Sequence, residues 1–339
     1  MKRILISASF AEKCFARQTI NASGIWDDCQ FLFEPDGKPI DAWVVYDNLS
    51  KVVRQECPPA NTLLVTGEPS SIRCYRSRFT SQFGHIWTSH QAIQHPNKLL
   101  QHEAQHWHFG LYPSSVFPKQ LNFEDLVELP CPTKKKLLSV ICSSKSITED
   151  HRQRLHFVER LKQSFGNQLD VFGRGIRDVA DKAEAILPYQ YHVVLENDHS
   201  DFFITEKLPD AFLGWSLPFY SGGKSANRLL PQDSFIAIDM YQPEAAISII
   251  RKTIESNTFQ RRREQIRQAR QAVLWHLNFF AMQVDFWKRN ATREPARMVT
   301  LYPKQKRCHL VINQFRRWLV HGTVRSARSH PAIAIPAAQ

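Results

Sequence analysis

Residues 191–212 read YHVVLENDHSDFFITEKLPDAF. The run Tyr191–Leu195 has the character of a buried strand and ends abruptly in the polar pair Glu196-Asn197. Nine residues after Asn197, Glu206-Lys207 opens a helix, with Thr205 at the capping position. The same alternation continues on both sides. Upstream lie a strand at Leu137–Cys142, a helix near His151–Phe165, a strand at Leu169–Phe172 ending in Gly173-Arg174-Gly175, and a helix near Val179–Ala185. Downstream follow strands near Leu217–Tyr220 and Phe235–Ile238 and helices near Pro243–Ser256 and Phe259–Trp287. Strand and helix in alternation predict a parallel sheet, so residues 133–288 are expected to form a doubly wound α/β domain.

Before the break at Pro130-Cys131-Pro132, residues 1–132 offer short strands at Ile4–Ser7, Ala42–Tyr46, Thr62–Val65 and His85–Thr88, with weak helical signals between them. A length of 339 residues suits two such domains. With 43% hydrophobic and 22% charged residues, the disordered and collagen-like classes are excluded. No apolar run reaches bilayer length, so no transmembrane anchor is expected. The seven cysteines form no CxxC pair, which argues against a zinc ribbon or a disulfide framework and for a reducing cytoplasm. The net charge of +12 is concentrated at one end: from Lys288 onward there are eleven Lys or Arg and a single acidic residue, Glu294. Residues 289–339 therefore read as a basic tail on a nearly neutral body. Its residues Val311, Phe315, Trp318 and Leu319 share a helical face, a pattern expected to dock on an anionic membrane rather than on nucleic acid.

Polar groups at the carboxyl end of a strand, beside a helix amino end, mark the ligand position of an open α/β sheet. Lys207 could neutralise a diphosphate, while Glu206 and Asn197 could bond sugar hydroxyls. The plainer alternative is a strand-ending turn followed by a solvated first helical turn. The segment resembles the donor-binding motif of the family 10 glycosyltransferases, the α-1,3-fucosyltransferases, through Glu196-Asn197, Thr205-Glu206-Lys207, Asp210-Ala211, Pro218, Tyr220 and Ser234-Phe235-Ile236. Ile141-Cys-Ser-Ser, the stretch from Arg154 to Leu161, and Asp170-Val-Phe-Gly173 resemble the family's earlier donor block. In the amino half, Leu64-Val-Thr-Gly-Glu68-Pro69 resembles its strand-end Gly-Glu. The resemblance implies a GT-B type α/β enzyme with two Rossmann-like domains facing across a cleft. It implies inverting transfer of L-fucose from GDP-fucose to a saccharide or glycolipid hydroxyl, in cell-surface glycan synthesis on the cytoplasmic side of a membrane. Glu68 then falls on the catalytic base and Arg154 on the diphosphate-binding arginine, with Glu196, Asn197, Phe203, Glu206 and Lys207 around the donor.

No Asp-x-Asp occurs, so the resemblance carries no metal and no cofactor beyond the donor itself, and Arg and Lys are left to meet the diphosphate charge. Three positions depart from the family pattern: Phe203 replaces a usual Tyr, Gly223 a usual polar residue, and Pro209 enters the motif helix. GDP-linked sugars related to fucose therefore remain open as donors. A rival motif, His102-Glu103-Ala-Gln-His106, fits H-E-x-x-H, which on a helix would hold zinc for a hydrolase. Pro96 and Pro113 bracket it in a short polar segment, and its histidines are expected instead near the acceptor cleft.

Overall fold

In the computed structural model, which describes residues 1–8, 13–146 and 148–304, each half of the chain is built on its own parallel sheet. The amino half supplies β1 (Lys2–Ala8), β2 (Ile25–Trp26), β3 (Cys29–Leu32), β4 (Ala42–Tyr46), β5 (Val53–Cys57), β6 (Thr62–Val65), β7 (His85–Thr88) and β8 (Lys98–Leu100). Seven of these form one sheet in the order β2-β3-β1-β4-β6-β7-β8, parallel except for the β2–β3 pair. The donor half supplies β9 (Lys136–Ile141), β10 (Leu169–Phe172), β11 (Tyr189–Leu195), β12 (Leu217–Ser221) and β13 (Ile236–Ala237), all parallel, in the order β10-β9-β11-β12-β13. The order reverses direction between β9 and β11, and that switch point opens a crevice beyond the strand ends.

Side-chain alternation explains why the amino sheet is covered on both faces. Ile4, Ile6, Ala42, Val44 and Tyr46 face one core, whereas Leu5, Trp43 and Val45 face another. The helices expected to be weak are indeed single turns, such as Ser77–Thr80. One face is covered instead from the far end of the chain. The helix expected over Phe259–Trp287 is broken into Thr258–Arg261, Arg263–Trp275 and Phe279–Asn290. Asn278 makes the second break: its side chain caps Phe280 N at 3.0 Å and donates to Gln18 O at 2.9 Å. The last helix then lies on the amino sheet, with Phe280 at 4.9 Å from Phe31 and Phe279 at 4.7 Å from Phe15 between ring centres.

The donor-side helix Glu149–Phe165 begins at a capping box made by Thr148 and His151, with Glu149 and Asp150 in its positive first turn. The helix expected near Val179–Ala185 is only the turn Ala183–Ile186. Asp181 ends the preceding loop by accepting Ala183 N at 2.7 Å and by serving three amides of the amino half.

The basic tail assigned to 289–339 starts later than its charge suggests. Residues Arg297–Leu301 form β14, antiparallel to β5, and place Leu301 in the core beneath Val45 and Leu64. The proposed amphipathic face with Val311, Phe315, Trp318 and Leu319 lies outside the described residues. Among the described residues no helix is long and apolar enough to cross a membrane. A chain ending at Ala296 is expected to melt below one ending at Lys304, because burial of Leu301 alone contributes about 2 kcal/mol. Equal melting curves by circular dichroism would show that β14 adds nothing to the fold.

Candidate functional site

The donor side is organised by a carboxylate that has no exposed surface. Glu196, at the end of β11, accepts Thr205 N at 2.8 Å and Thr205 Oγ1 at 2.9 Å, and its other oxygen lies 3.1 Å from Lys207 Nζ. Gly222 makes room for it: a Cβ there would stand 2.7 Å from Glu196 Cγ. Glu196 was expected at the donor. It is not on the cavity wall, and it acts as an internal strut that fixes the Thr205–Lys207 corner.

Beyond that corner lies a cavity of about 470 Å³. Its wall includes Arg154, Asn197, Phe203, Glu206 and Lys207 from the donor half and Gly67, Glu68, Gln105 and His108 from the amino half. Arg154 is buried on the helix Glu149–Phe165 and donates to Asn197 Oδ1, with Ser143 Oγ 3.4 Å away. Burial alone would raise the Glu206 carboxyl, but the ammonium groups of Lys182 and Lys207 reverse this and hold it well below the usual range. Two of the departures have plain structural reasons. Gly223 is wedged against the carbonyls of Ser200, Asp201 and Phe203, all within 2.9 Å of where a Cβ would be, so no larger residue fits. Pro209 is the third residue of the helix Lys207–Leu213, where an N–H would have had no helical acceptor.

On the amino side, β6 runs into Thr66, Gly67 and Glu68. Three side chains hold this turn: the Tyr75 hydroxyl accepts Gly67 N at 3.1 Å, Gln105 Nε2 donates to Gly67 O at 2.8 Å, and His90 Nε2 meets Glu68 O at 2.7 Å. Tyr75 and Arg73 both bond the buried Asp47, which follows β4 in a left-handed conformation (φ 63°). The Glu68 carboxyl is half-buried, and burial raises it against the opposing pull of Arg73. This is the adjustment a carboxylate base requires.

The H-E-x-x-H motif does not form its zinc geometry. Residues 102–106 are not helical, so the two imidazoles do not share a helix face. Glu103 is fully buried and accepts from Thr66 Oγ1 at 2.9 Å and Ser89 N at 2.8 Å. Among the described residues no cluster of His, Cys, Asp or Glu is placed to hold a metal. His106 does lie beside the cavity, its Nε2 at 3.1 Å from that of His108, and burial lowers both imidazoles to about 4. His108 meets the expectation of a histidine at the cleft, whereas Gln105 and Lys182 are cavity residues that gave no signal in the sequence. Lys182 sits in an unremarkable Ala-Asp-Lys-Ala-Glu run and only tertiary proximity reveals it.

Residues 131–262 match the family model described as glycosyltransferase family 10 (fucosyltransferase) C-term. Over this segment the chain is similar to the carboxyl-terminal domain of the family 10 glycosyltransferases. The chain also aligns with the 4-galactosyl-N-acetylglucosaminide 3-alpha-L-fucosyltransferase 9 of Bos taurus and of Homo sapiens. Each is 28% identical over 131 residues, covering 37% of this chain and 35% of the relative. The chain thus spans about a third of the length of the curated relatives it matches. The whole described fold is similar to a crystal structure of an alpha1,3-fucosyltransferase with GDP, at TM-score 0.51 and 14% identity over 87% of this chain and 91% of the other. That likeness is one of fold: a GT-B type α/β architecture, as the sequence led us to expect.

Burial raises Glu103 to about 7, above an ordinary glutamate at 4.5. The folded protein therefore keeps a proton that the unfolded chain releases, and stability contributed below pH 4.5 is lost as pH rises to about 7. Between pH 5 and 8 the wild type should lose more stability in urea than Glu103→Gln, by on the order of 3 kcal/mol. Parallel stability curves would mean that Glu103 ionises normally.

Proposed function

We propose that this protein is an inverting glycosyltransferase that moves L-fucose from GDP-fucose to a saccharide hydroxyl, with Glu68 as base. The observation that carries this reading is the shared cavity, in which a half-buried carboxylate from the amino half meets Arg154, Asn197, Glu206 and Lys207 from the segment similar to family 10. The acceptor hydroxyl gives its proton to Glu68 as its oxygen attacks the anomeric carbon. The bond from that carbon to the diphosphate oxygen breaks, and GDP leaves with the electron pair. Arg154 and Lys207 supply the positive charge that the departing diphosphate needs. Since Phe203 lacks a hydroxyl, a GDP-sugar related to fucose is the second donor to test. The acceptor named in the fucosyltransferase 9 relatives makes a galactosyl-N-acetylglucosamine glycan the first acceptor to try.

Two variants separate binding from chemistry. Arg154→Ala should weaken GDP binding by about 10- to 150-fold in calorimetry, the equivalent of losing one charge-assisted bond. Glu68→Gln should bind GDP as the wild type does and yet turn over about 10² to 10⁴ times more slowly. Unchanged GDP affinity in the first, or near-normal turnover in the second, would overturn the corresponding assignment.

We also propose that the basic end of the chain holds a cytoplasmic enzyme at an anionic membrane, where a glycolipid acceptor would be found. In sedimentation with phosphatidylglycerol vesicles at low salt, the full chain should pellet and a chain ending at Lys304 should stay in solution. Equal behaviour of the two would remove the tail from this role.

A further inference from the structure

Lys182 is a charged residue of the cavity that lies outside the motif at Glu196–Lys207. Its Nζ lies 2.8 Å from Glu206 Oε1 and 2.7 Å from Asp210 Oδ2, so one ammonium bridges two carboxylates a helical turn apart. Asp210 has no exposed surface, and its other oxygen accepts the N–H groups of His108 at 2.9 Å and Phe109 at 3.0 Å. His108 closes the ring, with Nδ1 at 3.8 Å from Glu206 Oε1. The segment that Asp210 holds also carries Gln105, whose amide fixes the Gly67-Glu68 turn. The remaining titratable groups facing Glu206 are Lys207 at 4.0 Å, His106 behind His108, and Tyr46 and Glu68 from the amino half.

Two buried carboxylates this close cannot both stay ionised without a cation between them. Lys207 assists Glu206 from 4.0 Å but bonds Glu196 at 3.1 Å and has no ion pair with Asp210, whereas Lys182 touches both carboxylates. We propose that Lys182 is a positioning residue that keeps Glu206 ionised and aimed into the cavity, and through Asp210 ties it to the segment that steadies the Glu68 turn. Lys182 does not take part in the chemistry; it acts through Glu206, whose ionised oxygens accept hydrogen bonds from ligand hydroxyls, a task a protonated carboxyl performs poorly. The role in turnover rests on the donor-site reading given above.

Lys182→Met removes the charge and keeps most of the stem, whereas Lys182→Arg keeps the charge. At neutral pH the Met variant should turn over about a hundredfold more slowly than wild type, and should regain rate by up to about tenfold per pH unit as rising pH strips the extra proton. Glu206→Gln should be equally slow but flat with pH over the same range. Arg should restore most of the rate, and so should Asp210→Asn placed on the Met background, since it removes the competing charge while keeping an oxygen for the His108 and Phe109 amides. A pH-independent loss in the Met variant, or failure of both rescues, would overturn the proposal.

A second readout needs neither donor nor acceptor. In the Met variant the folded state holds a proton on the carboxylate pair, so its stability deficit against wild type should widen as pH rises from about 5 to 8, and Asp210→Asn should shrink that widening. A deficit constant across pH would sink the assignment on the free protein. If instead the wild type binds no GDP while the deficit widens as expected, the donor-site reading fails and the Lys182 assignment stands.

Discussion

Glu196 is a charge with no exposed surface, and such a charge is tolerated only where its oxygens are fully engaged. Its position at the end of β11 and its bonds to Thr205 and Lys207 decide the path of the intervening loop. The loop must return to the strand end it left, and the helix Lys207–Leu213 must start there. Phe203 is thereby turned inward against the cavity, and Gly222 and Gly223 become obligatory because the carboxylate and the returning backbone occupy their Cβ positions. A motif that looks in the sequence like a row of ligand contacts is thus partly a scaffold, in which some residues meet the cavity and others hold those that do.

The two halves are joined by the same device. Asp181 accepts the N–H groups of Gly110, Leu111 and Tyr112, and Asp210 those of His108 and Phe109. Residues 108–112 are irregular backbone, and the amides of the buried Phe109, Gly110 and Leu111 need acceptors that no strand or helix supplies. Carboxylates from the donor half supply them. From the other side, Arg17 donates to the carbonyls of Trp107, Phe109 and Leu121. Ser71 reaches across the cleft to Asp198 at 2.6 Å. The Gly67-Glu68 turn and the Glu196–Lys207 corner are consequently parts of one bonded network.

Strands with a short apolar run between turn residues were legible to the residue: Ala42–Tyr46, Thr62–Val65, His85–Thr88 and Leu169–Phe172 have the expected bounds. Hydrophobic burial on both faces of a parallel sheet leaves that signature in any sequence. β5 and β14 were missed, because Val53–Cys57 holds the consecutive polar residues Arg54, Gln55 and Glu56, Arg297–Leu301 lies in the basic end of the chain, and the two find each other across more than two hundred residues. The long helix Phe259–Trp287 was misjudged at its breaks, since helical periodicity continues through Asn278 while the cap that interrupts it depends on Gln18.

The chain's local chemistry determined the fold class, the strand-to-helix corner at Glu196–Lys207, and the residue types that gather there, because those depend on neighbours within about twenty residues. Which of those residues reach the cavity was decided only in three dimensions. Glu196 turned inward and Glu206 outward, and nothing in their spacing distinguishes them. Lys182 joined the site from a segment without a motif and Gln105 from a variable position of the H-E-x-x-H motif, while His102 and Glu103 of that motif went to the interior. The physical reason is that a buried charge chooses its partner by distance and desolvation, and both are properties of the packed chain.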